Sequence, residues 1–180
     1  MNILTLDCET TIYKYPGIIS SSDRRGSSFS RYNKLVSLAT KVYGNDVECF
    51  DTLEGRGKFP LHYVQTQIDN SDIIIGHNIK YDLHWLINAG IDISNIKQVW
   101  DTMLAEFLLS SQQRGHLKLR DVLIKYGKPP KLDVVEVEYW SKGIDTDEVP
   151  VNILLEYNGY DVVGTESVFL EQAKQFGVVL

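Results

Sequence analysis

Ile3, Leu4 and Leu6 open the chain as an apolar run that two acids, Asp7 and Glu9, interrupt. Successive side chains of a strand turn to opposite faces, so Asp7 and Glu9 share one face while Leu6 and Cys8 share the other. The pattern predicts a first strand from Ile3 to Glu9. Residues 11–34 are rich in Ser, Gly and Arg without periodicity and predict a long loop, a feature usually functional or mobile in compact domains. Leu35 to Tyr43 and Val47 to Phe50, joined by Gly44-Asn45-Asp46, read as a hairpin. From Pro60 to Asn70 the spacing of Leu61, Val64 and Ile68 suits a helix. "DIIIGHN" reads as a short buried parallel strand ending at Gly76. In "YDLHWLINAG", Leu83, Leu86 and Ile87 fall on one helical face and Gly90 is placed to stop the helix.

Downstream, "QVWDTMLAEFLLSS" passes from a short strand into a helix. "LKLRDVLIKYG" is an amphipathic helix stopped by Gly127 and the Pro129-Pro130 pair, and "VPVNILLEYNGYDVVGTESVFLEQAKQF" carries a long helical pattern. A hairpin followed by alternating helices and strands describes an α/β fold, a mixed β-sheet flanked by α-helices. No repeat or low-complexity segment is visible, so one domain over residues 1–180 is expected.

Bulk properties narrow the function. The chain has 180 residues, 43% hydrophobic and 23% charged, which is enough for a substantial core without disulfides. Cys8 and Cys49 sit in apolar strand-like runs and read as free thiols of a reducing compartment. An acid at position 7 argues against a secretory leader, and no apolar run approaches the roughly 18 residues that span a bilayer. A cytoplasmic protein with no membrane partner is therefore expected. The net charge of −6 argues against a basic surface that coats duplex DNA. It leaves room for an enzyme that grips a strand end through divalent ions, which supply the positive charge the side chains lack.

Two carboxylates side by side on a mostly buried strand repel and lose hydration unless a cation or polar cavity compensates. They mark either a solvated strand end or a metal site. Two further acids lie at element termini: Asp82 in "GHNIKYD" and Asp161 in "YNGYD". Tyr157 precedes Asp161 by four residues and shares its helical face. Four carboxylates with no Cys or His ligands fit hard divalent ions such as Mg²⁺ or Mn²⁺. His77 matches no zinc spacing, and His62, His84 and His116 read as surface or partly buried residues. Trp85, Trp100 and Trp140 read as packing rather than as platforms for bases. Arg24, Arg25 and Arg31 lie among serines beside the first strand. They predict either contacts to substrate phosphates or a solvated loop.

"LDCET", "GHNIKYD" and "YNGYDVVGT" resemble, in order, the three motifs of the DnaQ-like 3′–5′ exonuclease superfamily in its tyrosine-containing DEDDy form. "DTMLAEFLL" and "LKLRDVLIKY" resemble the proofreading domain of family A DNA polymerases, and "GSSFSRYNKLVSLA" is similar to phage-encoded members. The resemblance covers nearly the whole chain and implies a ribonuclease H-like fold. It departs where the family A enzymes continue into a polymerase domain, because this chain stops at Leu180.

The resemblance implies that Asp7, Glu9, Asp82 and Asp161 hold two divalent cations, with Asp7 shared between them. It implies that Tyr157 orients the attacking water, and that the backbone N–H of Thr10 and the side chain of Asn78 meet the terminal nucleotide. Asn78 is equally placed to cap the following helix. Asp101 reads as a helix cap or as support for the ligands. The activity expected is release of nucleoside 5′-monophosphates from single-stranded or frayed DNA 3′ ends, as in replication proofreading, with a separate DNA polymerase as a possible partner. The rivals are the same chemistry on RNA, and a non-catalytic domain that binds strand ends or a polymerase.

Overall fold

A computed structural model describes residues 1–12, 27–56 and 59–179. Arg24 and Arg25 fall outside the described residues. Among the described residues five strands form one sheet: β1 (Ile3–Thr10), β2 (Leu35–Val42), β3 (Glu48–Asp51), β4 (Ile73–Gly76) and β5 (Val99–Asp101). Their order is β3-β2-β1-β4-β5. β1 lies in the centre, antiparallel to β2 and parallel to β4, and β4 is parallel to β5. The helices are α1 (Leu61–Asp69), α2 (Ile79–Asn88), α3 (Thr102–Leu109), α4 (Leu119–Lys125), α5 (Val134–Glu138) and α6 (Val151–Gln175). The mixed sheet flanked by helices is the fold class the residue pattern predicts.

β1 is buried on both faces, which explains its near-continuous apolar character. Leu4, Leu6 and Cys8 pack with Leu38, Ile74 and residues of α1 and α2, among them Val64, Ile68 and Leu86. On the other face Ile3, Ile73 and Ile75 meet Phe169 and Ala173 of α6. Each fully buried side chain of this size contributes roughly 1.5–3 kcal/mol, so α6 is fixed firmly against the sheet. Asp7 and Glu9 continue the row of Ile3 and Thr5 and therefore face α6. Cys8 and Cys49 are free thiols.

Two features differ from the expected elements. α2 starts at Ile79, ahead of the apolar stretch that signals it. The span 134–148, without a predicted element, contains α5 and two short 3-10 turns, Trp140–Lys142 and Thr146–Glu148. A five-residue helix is too short to show a period. Burial of Val135 beside Leu154 and Tyr157 holds it in place. Among the described residues no helix is long and apolar enough to cross a membrane.

Candidate active site

The acids meet where the end of β1 passes under α6. The pairing of β1 with β2 slips between Glu9 and Thr10, an irregularity of the kind that re-aims side chains beside functional sites. From α6, Tyr157 and Asp161 face the same spot one turn apart. Gly159, between them, lets the helix come close to β3. A Cβ there would lie 3.1 Å from Cys49 Sγ. As a result Asp7, Glu9 and Asp161 each place one carboxylate oxygen within 4.8 Å of the others.

Two residues hold this cluster together. Asn158, fully buried, donates from Nδ2 to Asp7 Oδ2 (2.7 Å) and accepts from Ser37 Oγ at its Oδ1 (3.1 Å). Lys131 donates from Nζ to Asp161 Oδ2, and the same nitrogen lies 4.6 Å from the centre of the Tyr157 ring. Asp161 Oδ1 is buried and has no hydrogen-bond partner.

The electrostatics follow from burial and like charge. Burial, then the charge of Asp161, pushes Asp7 up to about 7, against the pull of Lys131 and Asn158. Burial and the charge of Asp7 push Glu9 well above the usual carboxylate range. Asp161 is also raised by burial, with Lys131 opposing. Burial alone would depress Lys131, but Asp161, Glu9 and Asp7 outweigh it and raise the ammonium. Burial and the surrounding carboxylates drive Tyr157 far above an ordinary phenol, so its hydroxyl keeps its proton.

Asp82 stands at the margin. Its Oδ1 accepts from the Cys8 amide at 3.0 Å, and its carboxylate is raised by burial first and by Asp7 second. It is near the cluster but outside the group of three. Asn78 has a left-handed backbone (φ 63°) and makes no side-chain cap bond, so of its two expected roles the capping one is absent. Its amide N–H donates to Asp101 Oδ1 (2.9 Å), which also accepts from Met103 and Leu104 and so caps α3. Gly76 makes this turn possible, because a Cβ there would come within 2.9 Å of Ile79. Burial lowers His77 to about 4 and keeps the ring neutral beside Thr102.

Two of the expected substrate residues have side-chain contacts of their own. Thr10 is buried with its hydroxyl 2.5 Å from Tyr81 Oη. Arg31 stacks on Tyr32 and lines a separate hollow with Phe29, Lys34 and Asn88. Asp7, Glu9 and Asp161 line a cleft of about 460 Å³. Lys118, Arg120 and Lys131 add basic groups to its wall, while Leu132, Trp140 and Tyr157 give it an apolar side.

The sequence model of a family described as 3′–5′ exonuclease matches residues 4–173. This chain belongs to that 3′–5′ exonuclease family. A curated relative, the DNA polymerase DpoZ of Acinetobacter phage SH-Ab 15497, is 21% identical over 168 residues, which cover 85% of this chain and 26% of the polymerase. The chain thus spans about a quarter of that relative. A structure described as the apo form of the nuclease superposes with a TM-score of 0.67 at 16% identity, covering 97% of this chain and 72% of its own. NrnC of Brucella melitensis with bound Mg²⁺ gives 0.61 at 18% identity over 97% and 75%. The same protein bound to pGG gives 0.62 at 18% over 97% and 74%. These likenesses establish the ribonuclease H-like fold shared by such exonucleases.

For a 3′–5′ exonuclease family member, the oxygen-only donor set and the unpartnered Asp161 Oδ1 fit a hard divalent cation. Lys131 and Asn158 carry no signal of their own in the sequence. Asn158 has only its place beside Tyr157, and Lys131 follows two prolines that read as a stop.

Proposed function

We propose that the protein is a metal-dependent 3′–5′ exonuclease that hydrolyses single-stranded or frayed DNA 3′ ends to nucleoside 5′-monophosphates. The convergence of Asp7, Glu9 and Asp161 within 4.8 Å at the floor of the cleft carries this reading. Two cations, Mg²⁺ or Mn²⁺, held by these three with Asp82 at the margin, would neutralise charge on the phosphodiester and acidify a water.

The chain's own residues do the rest. Tyr157, locked in its protonated form, donates a hydrogen bond that orients the nucleophilic water rather than removing its proton. Asn158 fixes the Asp7 carboxylate in one orientation. Asn78 presents its side chain to the terminal nucleotide from the exposed turn before α2. Lys118 and Arg120 meet the phosphates of the strand behind it. Trp140, read from the sequence as packing, lines the apolar side of the cleft with Leu132, and this side receives the terminal base. A strand end that is unpaired enters such a cleft at lower cost than a paired one, which makes a mispaired primer terminus the favoured substrate.

DNA as substrate, and a DNA polymerase as partner, are supported by the polymerase relative over the matched stretch. The test is to incubate 5′-labelled DNA and RNA strands of one sequence, and pGG, with the protein and Mg²⁺ or Mn²⁺. A ladder shortening from the 3′ end of DNA, with mononucleotide products and complete loss in EDTA, is expected. Preferential cleavage of RNA or of pGG would overturn the DNA assignment. Absence of cleavage under either ion would overturn the catalytic reading.

A further inference from the structure

Lys131 reaches the acid cluster from the segment between α4 and α5. Its ammonium contacts Asp161 Oδ2, with side-chain exposures of 23% and 3% for the two partners. The other Lys–carboxylate pairs among the described residues, such as Lys41–Glu166 and Lys125–Glu106, lie elsewhere. Lys118 and Arg120 line the same cleft, but among the ion pairs of the described residues it is Lys131 that contacts an acid of the cluster. The ring of Tyr157 offers a second seat for the ammonium, its centre 4.6 Å away. Only one oxygen of Asp161 is engaged, and Oδ1 is buried without a partner.

We propose that Lys131 is a tethered counter-ion of the acid cluster, which stabilises the metal-free protein and weakens the divalent cations that bind there. The inference rests on the reading of the cluster as a cation site. Three carboxylates whose oxygens lie within 4.8 Å of one another repel, and one ammonium among them relieves that repulsion. The same ammonium repels an incoming divalent cation or has to move off Asp161 to admit it. A lysine suits that exchange, being a compact charge on a flexible four-carbon stem. Metal occupancy is then set by competition between a fixed internal cation and the free ion.

The experiment is calorimetric titration of the full chain with Mg²⁺ at pH 8.5, for the original sequence, Lys131→Met and Lys131→Arg, with melting curves in EDTA. Lys131→Met keeps the apolar stem and should bind Mg²⁺ on the order of tenfold tighter, because a like charge a few ångströms away is gone. It should also melt lower in EDTA. Lys131→Arg should return Mg²⁺ affinity towards the original. A merely structural lysine would lower melting and leave Mg²⁺ affinity unchanged, and that result overturns the proposal, as does weaker binding. Lys131→Gln serves the same comparison if the methionine variant fails to fold. Original protein that binds Mg²⁺ but degrades no strand sinks the exonuclease reading and leaves this one standing. Original protein that takes up no Mg²⁺ sinks both.

Discussion

Asn158 grips Asp7 from α6, donating to Oδ2 at 2.7 Å while the Ser37 hydroxyl fixes the orientation of its amide. The bond favours the ionised carboxylate and opposes the burial that lifts Asp7 to about 7. Without it Asp7 titrates higher still. Asn158→Ala should therefore move the acid limb of the pH–rate profile upward. It should also cut kcat near pH 7 about fivefold, because losing about 1.4 kcal/mol of preference for the anion takes the ionised form at that pH from about half to roughly a tenth. Part of the loss should return as the pH rises. An acid limb that stays in place would mean that Asn158 only packs.

Stability of the metal-free protein should depend on pH in the direction opposite to that of ordinary salt-bridged acids. The folded-state values of Asp7, Glu9 and Asp82 lie above those of the unfolded chain, where carboxyls ionise near 4. The folded protein then holds more protons between those limits, so stability present at low pH is lost as pH rises through about 7 for Asp7. In EDTA the melting temperature should fall from pH 5 to pH 8. Mg²⁺ should reverse this, by about 2.7 kcal/mol at a hundredfold excess over Kd. A melting temperature that climbs over the same range would contradict the assignment.

Asp7→Asn removes the most central charge while the new amide oxygen still accepts from Asn158. It should raise the melting temperature in EDTA at pH 8, respond little to Mg²⁺, and abolish hydrolysis. If it melts lower than the original and Mg²⁺ shifts both equally, the acid pair on β1 is a structural feature of the strand.

Tyr157→Phe deletes one hydroxyl from a ring otherwise held by Trp140 at a centroid distance of 5.9 Å. We expect kcat to fall on the order of 10²-fold with Mg²⁺ affinity unchanged. Loss of Mg²⁺ affinity at constant kcat would reassign Tyr157 to holding the cation site.

Asn78→Gly preserves the left-handed turn (φ 63°), which glycine adopts without strain, and removes only the side chain. KM for a DNA 3′ end should rise several-fold with kcat little changed. Equal kinetics would show that the side chain never meets substrate.

Much of the fold and of the acid cluster is legible in the chain itself. β1, β4 and α6 carry apolar patterns that predict the elements, and the resemblance to the DEDDy exonucleases implies that Asp7, Glu9, Asp82 and Asp161 share one site, of which Asp7, Glu9 and Asp161 form the close group. The rest depends on pairings across long stretches of sequence. The Thr10 hydroxyl pairs with Tyr81, 71 positions away, a contact that its place at the end of β1 does not foretell. Arg31 stacks on its own neighbour, Tyr32, and lines a different hollow. Lys131 lies 30 positions from Asp161 in a stretch without periodicity, where no local rule foretells its reach.

The central position of β1 has a consequence for how the protein breathes. Hydrogen-bonded to β2 on one edge and β4 on the other, and clamped by α6, the strand bearing Asp7 and Glu9 belongs to the region whose amides should exchange last. Both halves of the acid cluster sit on regular elements packed against each other, so neither half can swing open alone. Cation uptake should accordingly slow exchange across β1, β4 and α6 in concert, and a protease would meet the site only after the whole sheet had come apart.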